Sequence, residues 1–124
     1  MRVFMTRWFA TWAAAEKLTY SVLASAVVEL EQGLVDAELG GQVVKKRIAL
    51  PGKGKRGGVR ALLVFSRGDR AFFVYGFAKN ERDNVSSKEL KALKLLAREL
   101  LSYTQPALVK AVKFGELIEV VGHG

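Results

Sequence analysis

GKRGGVRALLVFSRGDRAFFVYGFAKNER, residues 54–82, decides the fold. Within it, VRALLVFS (59–66) and AFFVYGFA (71–78) are near-continuous apolar runs of strand length, as expected of central strands covered on both faces. Gly68–Asp69 between them suits a tight two-residue hairpin turn, so the two runs are expected to pair antiparallel. The tripeptide Arg67–Gly68–Asp69 belongs to that turn. As an adhesion motif, three common residues at a hairpin tip carry little information.

Upstream, VVKKRIAL (43–50) reads as another strand, with Lys45 and Arg47 on one face and Val44, Ile48 and Leu50 mostly on the other. PGKGKRGGVR (51–60) joins it to the next run and holds four glycines and four cations. A nucleotide loop would place such glycines before a helix, so that backbone N–H groups and the helix dipole face a phosphate. A strand follows here, and no Ser or Thr follows the lysines, so the stretch reads as a flexible basic bridge between strands.

Further out, RVFMTRWF (2–9) suits a first strand. Residues 10–32 read as helical, with Ala13, Ala14, Leu18, Leu23, Val27 and Leu30 at three- and four-residue spacing. Thr19 or Ser21 is placed to cap a second helix there, which makes the region a helical hairpin, and Gly33 is its stop. DAELGG (36–41) is turn-like and KNERDNV (79–85) a polar loop. Ser86 and Glu89 form a capping-box signature for a helix to about Tyr103, with Leu90, Leu93, Ala97, Leu100 and Leu101 as its apolar stripe. ALVKAVKF (107–114) is a further short helical turn and GELIEVV (115–121) a possible last strand. Without repeats or a linker, residues 1–124 are expected to form one α+β domain: an N-terminal strand and helical hairpin, an antiparallel meander, then a C-terminal helix.

The chain is half apolar, enough for a packed core, and lacks cysteine, which excludes disulfides and thiolate metal sites. That fits a cytoplasmic location. No apolar run reaches membrane-span length, and Arg7, followed soon by Glu16 and Lys17, argues against a signal peptide at the N-terminus. His123 is the only histidine and lies next to the last residue, so neither a metal centre nor a Ser–His–Asp site is expected; no metal or cofactor is assigned.

The net charge of +8 is unevenly spread. Residues 43–82 hold eleven basic and two acidic residues, whereas 1–42 carry a net −2 and 83–124 a net +1. So concentrated a patch attracts polyanions, nucleic acid first among them. Antiparallel pairing brings the start of 59–66 beside the end of 71–78, so Arg60 and Lys79 become neighbours, with Lys45, Lys46, Arg47, Lys53, Lys55, Arg56 and Arg82 around them. The bland alternative is a solvated face. Trp8, Trp12, Phe72, Phe73, Tyr75 and Phe77 read as core rather than as base-stacking platforms, and Lys88, Lys91 and Lys94 as a solvated flank.

The KxR strand, the glycine-flanked basic stretch ending in GGVR, FFVYGFAKNER and the capped helix together resemble the RelE/ParE toxin superfamily, in its RelE-like and HigB-like branch. The resemblance covers roughly residues 40–102 well. It implies a small toxin that cuts messenger RNA on the ribosome without a metal and is silenced by an acidic antitoxin. Carried over to this chain, Arg60 is the main phosphate clamp, and Lys45 and Arg47 are the paired strand cations, a lysine being the candidate general base. Lys79 and Arg82 belong to the basic cluster that protonates the leaving oxygen or stabilises charge. Lys46, Lys53, Lys55 and Arg56 are expected to contact the RNA backbone, and the flank of Lys88, Lys91 and Lys94 to touch ribosomal RNA. The chain departs from the family where some members place a tyrosine, having Ser86 and Ser87 there, and Asn80 stands where some have an arginine. A ParE-like gyrase inhibitor or another non-catalytic nucleic-acid-binding module is the alternative, with a structural ribosomal protein behind it.

Overall fold

A computed structural model of the chain describes residues 1–50, 54–82 and 84–120, including all side chains of these except those of 54–57. Ten elements follow one another: β1 (Arg2–Thr6), α1 (Arg7–Ala15), α2 (Tyr20–Glu31), β2 (Ala37–Gly40), β3 (Val43–Leu50), β4 (Gly54–Ser66), β5 (Arg70–Ala78), α3 (Ser87–Leu101), α4 (Gln105–Lys113) and β6 (Leu117–Glu119). The strands form one mixed sheet in the order β2-β3-β4-β5-β1-β6. The fold is thus α+β, as expected, with the meander β3-β4-β5 antiparallel at its centre.

Alternation along the strands sorts the apolar residues into two cores. Val44, Ile48, Val59, Ala61, Leu63, Ala71 and Phe73 pack beneath α1 and α2, against Phe9, Ala13, Leu23, Val27 and Leu30. Val43, Leu62, Val64, Phe72, Val74 and Phe77 pack on the opposite face against Ala97, Leu100, Leu108 and Ala111 of α3 and α4. The near-continuous apolar runs of β4 and β5 are therefore explained by cover on both sides. A register shift between Leu62 and Leu63 opposes Leu62 to Tyr75 and Leu63 to Phe73, so Val74 and Tyr75 both join the second core.

The N-terminal strand joins the sheet of the meander, β1 lying parallel to β5 and antiparallel to β6, which makes the sheet mixed. Several boundaries need correction. The first helix begins at Arg7, not residue 10, since the Thr6 hydroxyl accepts from the Phe9 N–H and caps it. Trp8 and Phe9 therefore stand on a helix. The hairpin breaks at Glu16–Lys17, with Lys17 at φ 61°, and Thr19 caps α2 by accepting from the Val22 N–H. Residues 37–40, read as a turn, are an edge strand that pairs with β3. The β4/β5 turn spans Arg67–Asp69, one residue longer than expected, and is closed from the Asp69 N–H to the Ser66 carbonyl with Gly68 at φ 78°.

The largest difference concerns the basic bridge. Strand β4 already begins at Gly54, so Lys55 and Arg56 lie on a strand and not on a flexible loop. Gly58 sits where a Cβ would lie 2.1 Å from the Ile48 carbonyl oxygen, which makes it a close-approach glycine of the β3–β4 pair.

Candidate nucleic-acid site

The site lies on the α3 side of the sheet. Val43 belongs to that face, so Lys45 and Arg47 follow it there by alternation, and Arg60 shares the face with Leu62 and Val64. Register then lines up two rows across the meander. One is Lys45–Leu62–Tyr75 and the next is Arg47–Arg60–Phe77. Lys79 directly follows Ala78, the partner of Val59, so Lys79 emerges beside the Arg60 end of β4. The expected meeting of Arg60 with Lys79 is thus what the register gives.

Their electrostatic states differ. Arg60 is only 6% exposed. Among the described residues its guanidinium makes one hydrogen bond, a long one of 3.5 Å from Nη1 to its own neighbour's carbonyl at Val59. Among the described residues no carboxylate pairs with Arg60, Lys45 or Lys79. Removing a cation from water without a counter-charge costs several kcal/mol, so Arg60 is a buried charge that the described residues leave uncompensated.

The remaining expected cations are engaged otherwise. Lys46 is a correction: alternation turns it to the α2 face, where it is 3% exposed and its Nζ lies 2.6 Å from a carboxylate oxygen of Glu29. Lys46 is thus buried in an ion pair on the face opposite Arg60, with Glu29 about a third exposed. Arg47 is exposed and lies 3.6 Å from Asp36, a loose pair. Arg82 is held in a bidentate pair with Glu89, donates 2.9 Å to the Asn84 carbonyl and lies over the Phe77 ring at 5.6 Å. Lys53 lies outside the described residues, as do the side chains of Lys55 and Arg56 and all of His123.

Two residues of the site were missed. Glu89 reads as the third residue of a capping box, and it does accept from the Ser86 N–H at 2.8 Å while Ser86 Oγ accepts from its own N–H. It also accepts from the Tyr75 hydroxyl at 2.9 Å and from Arg82, which welds the start of α3 to β5. These bonds, Arg82 first, hold its carboxyl far below the ordinary carboxylate range. Burial, with that hydrogen bond behind it, raises the Tyr75 phenol, so Tyr75 stays a protonated donor. Tyr75 is only half buried, and Trp8 stacks on it with centroids 4.6 Å apart. The expectation of core burial holds for Phe72, Phe73 and Phe77 and fails for Trp8, which is 49% exposed.

The sign of the Glu89 shift gives a prediction. A carboxyl whose folded pKa is depressed adds stability above its unfolded pKa and loses it as pH falls toward the folded value. Wild-type thermal stability is therefore expected to fall progressively below about pH 4.3, and that of Glu89→Gln, which keeps the capping geometry, to fall less steeply. Melting curves across that range in both proteins check it; parallel acid limbs would show that the pair does not couple to folding.

Residues 1–120 match the family model described as "RelE toxin of RelE / RelB toxin-antitoxin system". No curated protein matches the chain in sequence.

Proposed function

The chain belongs to the RelE toxin family, and on that premise we propose that it is a ribosome-dependent endoribonuclease that cleaves messenger RNA without a metal. The observation that carries the reading is Arg60: a buried guanidinium on a rigid central strand, unpaired among the described residues. A phosphate is the counter-charge that its fork geometry suits.

In the proposed reaction a ribose 2′-oxygen attacks the adjacent phosphorus as Lys45 takes the 2′-OH proton. The P–O5′ bond breaks, leaving a cyclic 2′,3′-phosphate and a 5′-hydroxyl whose proton comes from Lys79. Arg60 stabilises the charge that builds on the non-bridging oxygens, the kind of contribution that is often the largest single one. Arg47 and the basic start of β4 guide the RNA backbone. Arg82 acts through Glu89 as a positioning residue, tying the start of α3 to Tyr75 of β5.

A RelB-type antitoxin is the partner that the family implies; an acidic one complements the excess of cations in residues 43–82. We place all of residues 1–124 in one toxin domain acting in the cytoplasm on messenger and ribosomal RNA. None of the described helices is long and apolar enough to cross a membrane.

Neutralisation of Arg82 by Glu89 favours a second reading, a non-catalytic inhibitor of the ParE kind. Mapping transcript 5′ ends after induced expression separates the two. Codon-phased cuts are expected; intact transcripts in arrested cells would sink the nuclease reading.

A further inference from the structure

The outward face of α3 has no part in the proposed chemistry. Its inward side, with Ala97 and Leu100 buried and Leu90, Leu93, Leu96 and Leu101 partly so, packs on the second core. The side turned to water carries Lys88, Lys91, Ala92, Leu95, Arg98 and Glu99. Lys94 leaves this side, because its stem lies on the Gly40–Gly41 backbone, with Cγ 3.1 Å from where a Gly41 Cβ would stand.

A count of charge by segment hides how basic this surface is. Residues 83–124 hold six basic and five acidic residues, which nearly cancel. Two of those acids are engaged by cations from outside the stretch, Glu89 by Arg82 and Glu119 by Arg2. Glu99 is the one acid on the exposed side of α3. Among the described residues no carboxylate pairs with Lys88, Lys91 or Arg98. Residues 88, 91, 95 and 98 follow one another in steps of three and four along the helix, so they form a stripe about 15 Å long.

Leu95 decides what such a stripe fits. It is 58% exposed and stands between Lys91 and Arg98. An exposed leucine by itself is ordinary. One set in a row of unpaired cations discriminates between partners. A phosphate backbone matches the cations and gains nothing from the leucine. A lipid surface calls for a continuous apolar face, which a single leucine does not provide. An acidic amphipathic helix matches both features: its carboxylates, at the same steps of three and four, meet the cations, and an apolar side chain covers Leu95. We propose that the outward face of α3 is a docking surface for an acidic amphipathic helix of the RelB-type antitoxin. The proposal rests on the antitoxin reading for the identity of the partner and on α3 for the place.

The test takes the full chain with the RelB-type antitoxin of its own module and, separately, with purified ribosomes. Leu95→Lys tells the two apart, because it adds a cation and removes the apolar contact. It is expected to raise Kd for the antitoxin about ten-fold, the scale of one apolar side chain lost from an interface, while ribosome binding stays as in wild type. Lys91→Glu combined with Arg98→Glu is expected to raise the same Kd and to remove most of its salt dependence. Leu95→Met, which keeps apolar bulk, is expected to retain wild-type affinity. All three positions are exposed, so the variants are expected to melt as wild type does, which separates lost docking from lost folding.

Antitoxin affinity unchanged in both Leu95→Lys and the double reversal overturns the docking surface. So does a double reversal that weakens ribosome binding and spares the antitoxin complex, which assigns the stripe to ribosomal RNA. A wild-type chain that forms no antitoxin complex defeats the antitoxin reading itself, and the docking surface falls with it.

Discussion

Arg60→Ala is expected to abolish growth arrest on induced expression and to lower the cleavage rate by about a hundred- to a thousand-fold, the scale seen when one charge-stabilising donor is removed. The reason is local. Arg60 is the one cation of the two rows that is both buried and unpaired among the described residues, on a strand hydrogen-bonded on both sides. Arg60→Lys keeps the charge but loses the fork, and is expected to fall between the two. Stability should move the other way. Arg60→Met keeps the aliphatic stem and removes a charge that the fold desolvates without compensation, so it is expected to melt at or above the wild-type temperature while remaining inactive. An Arg60→Ala protein that still arrests growth, with transcripts cut in the same phase, would remove Arg60 from the mechanism.

Gly58→Ala is the second large effect, and it acts on stability. The added methyl would stand 2.1 Å from the Ile48 carbonyl oxygen, a backbone atom that can move only if the β3–β4 pair opens. Overpacking of that kind costs about 1–3 kcal/mol and more where backbone must shift. For a chain of this size the melting temperature is expected to drop by roughly 4–12 °C. Because Gly58 is two residues from Arg60, cleavage should fall as well, even at temperatures where the protein remains folded. Thermal melting with a parallel activity assay checks both, and an unchanged melting temperature would show that β3 and β4 tolerate wider separation there.

How far these features were legible in the sequence depends on whether their cause is local. The runs at 59–66 and 71–78 declare two-sided burial by themselves, and Ser86 with Glu89 declares a helix start, so both appear where expected. Antiparallel pairing of the two runs was enough to bring Arg60 to Lys79. Lys46 could be read off only by following alternation one residue further, since its neighbours at 45 and 47 occupy the other face. Gly58 looked like flexibility, because a glycine needed for close approach and one needed for freedom are the same letter. Tyr75 and Trp8 carried no local sign at all. Their stack brings together β5, after the bulge between Leu62 and Leu63, and α1, which follows directly from β1, a meeting set by long-range packing. The partners of Glu89 were invisible for the same reason, since Tyr75 and the capping box belong to separate elements.

The place of β1 has a consequence for the order of assembly. Residues 2–6 precede every other strand in the chain, yet β1 is an inner strand between β5 and β6. The emerging segment must wait for residues 70–73 before it finds one neighbour and for 117–119 before it finds the other. Until then one edge of β1 is open, and closing such distant pairs is the slow part of folding. The hairpin that carries Arg60 is local and can form early, but the layered frame around it closes only once residues 117–119 have paired with β1. The two edges of β1 are thus closed by segments on either side of the α3–α4 pair, and the complete sheet forms only when both have met it.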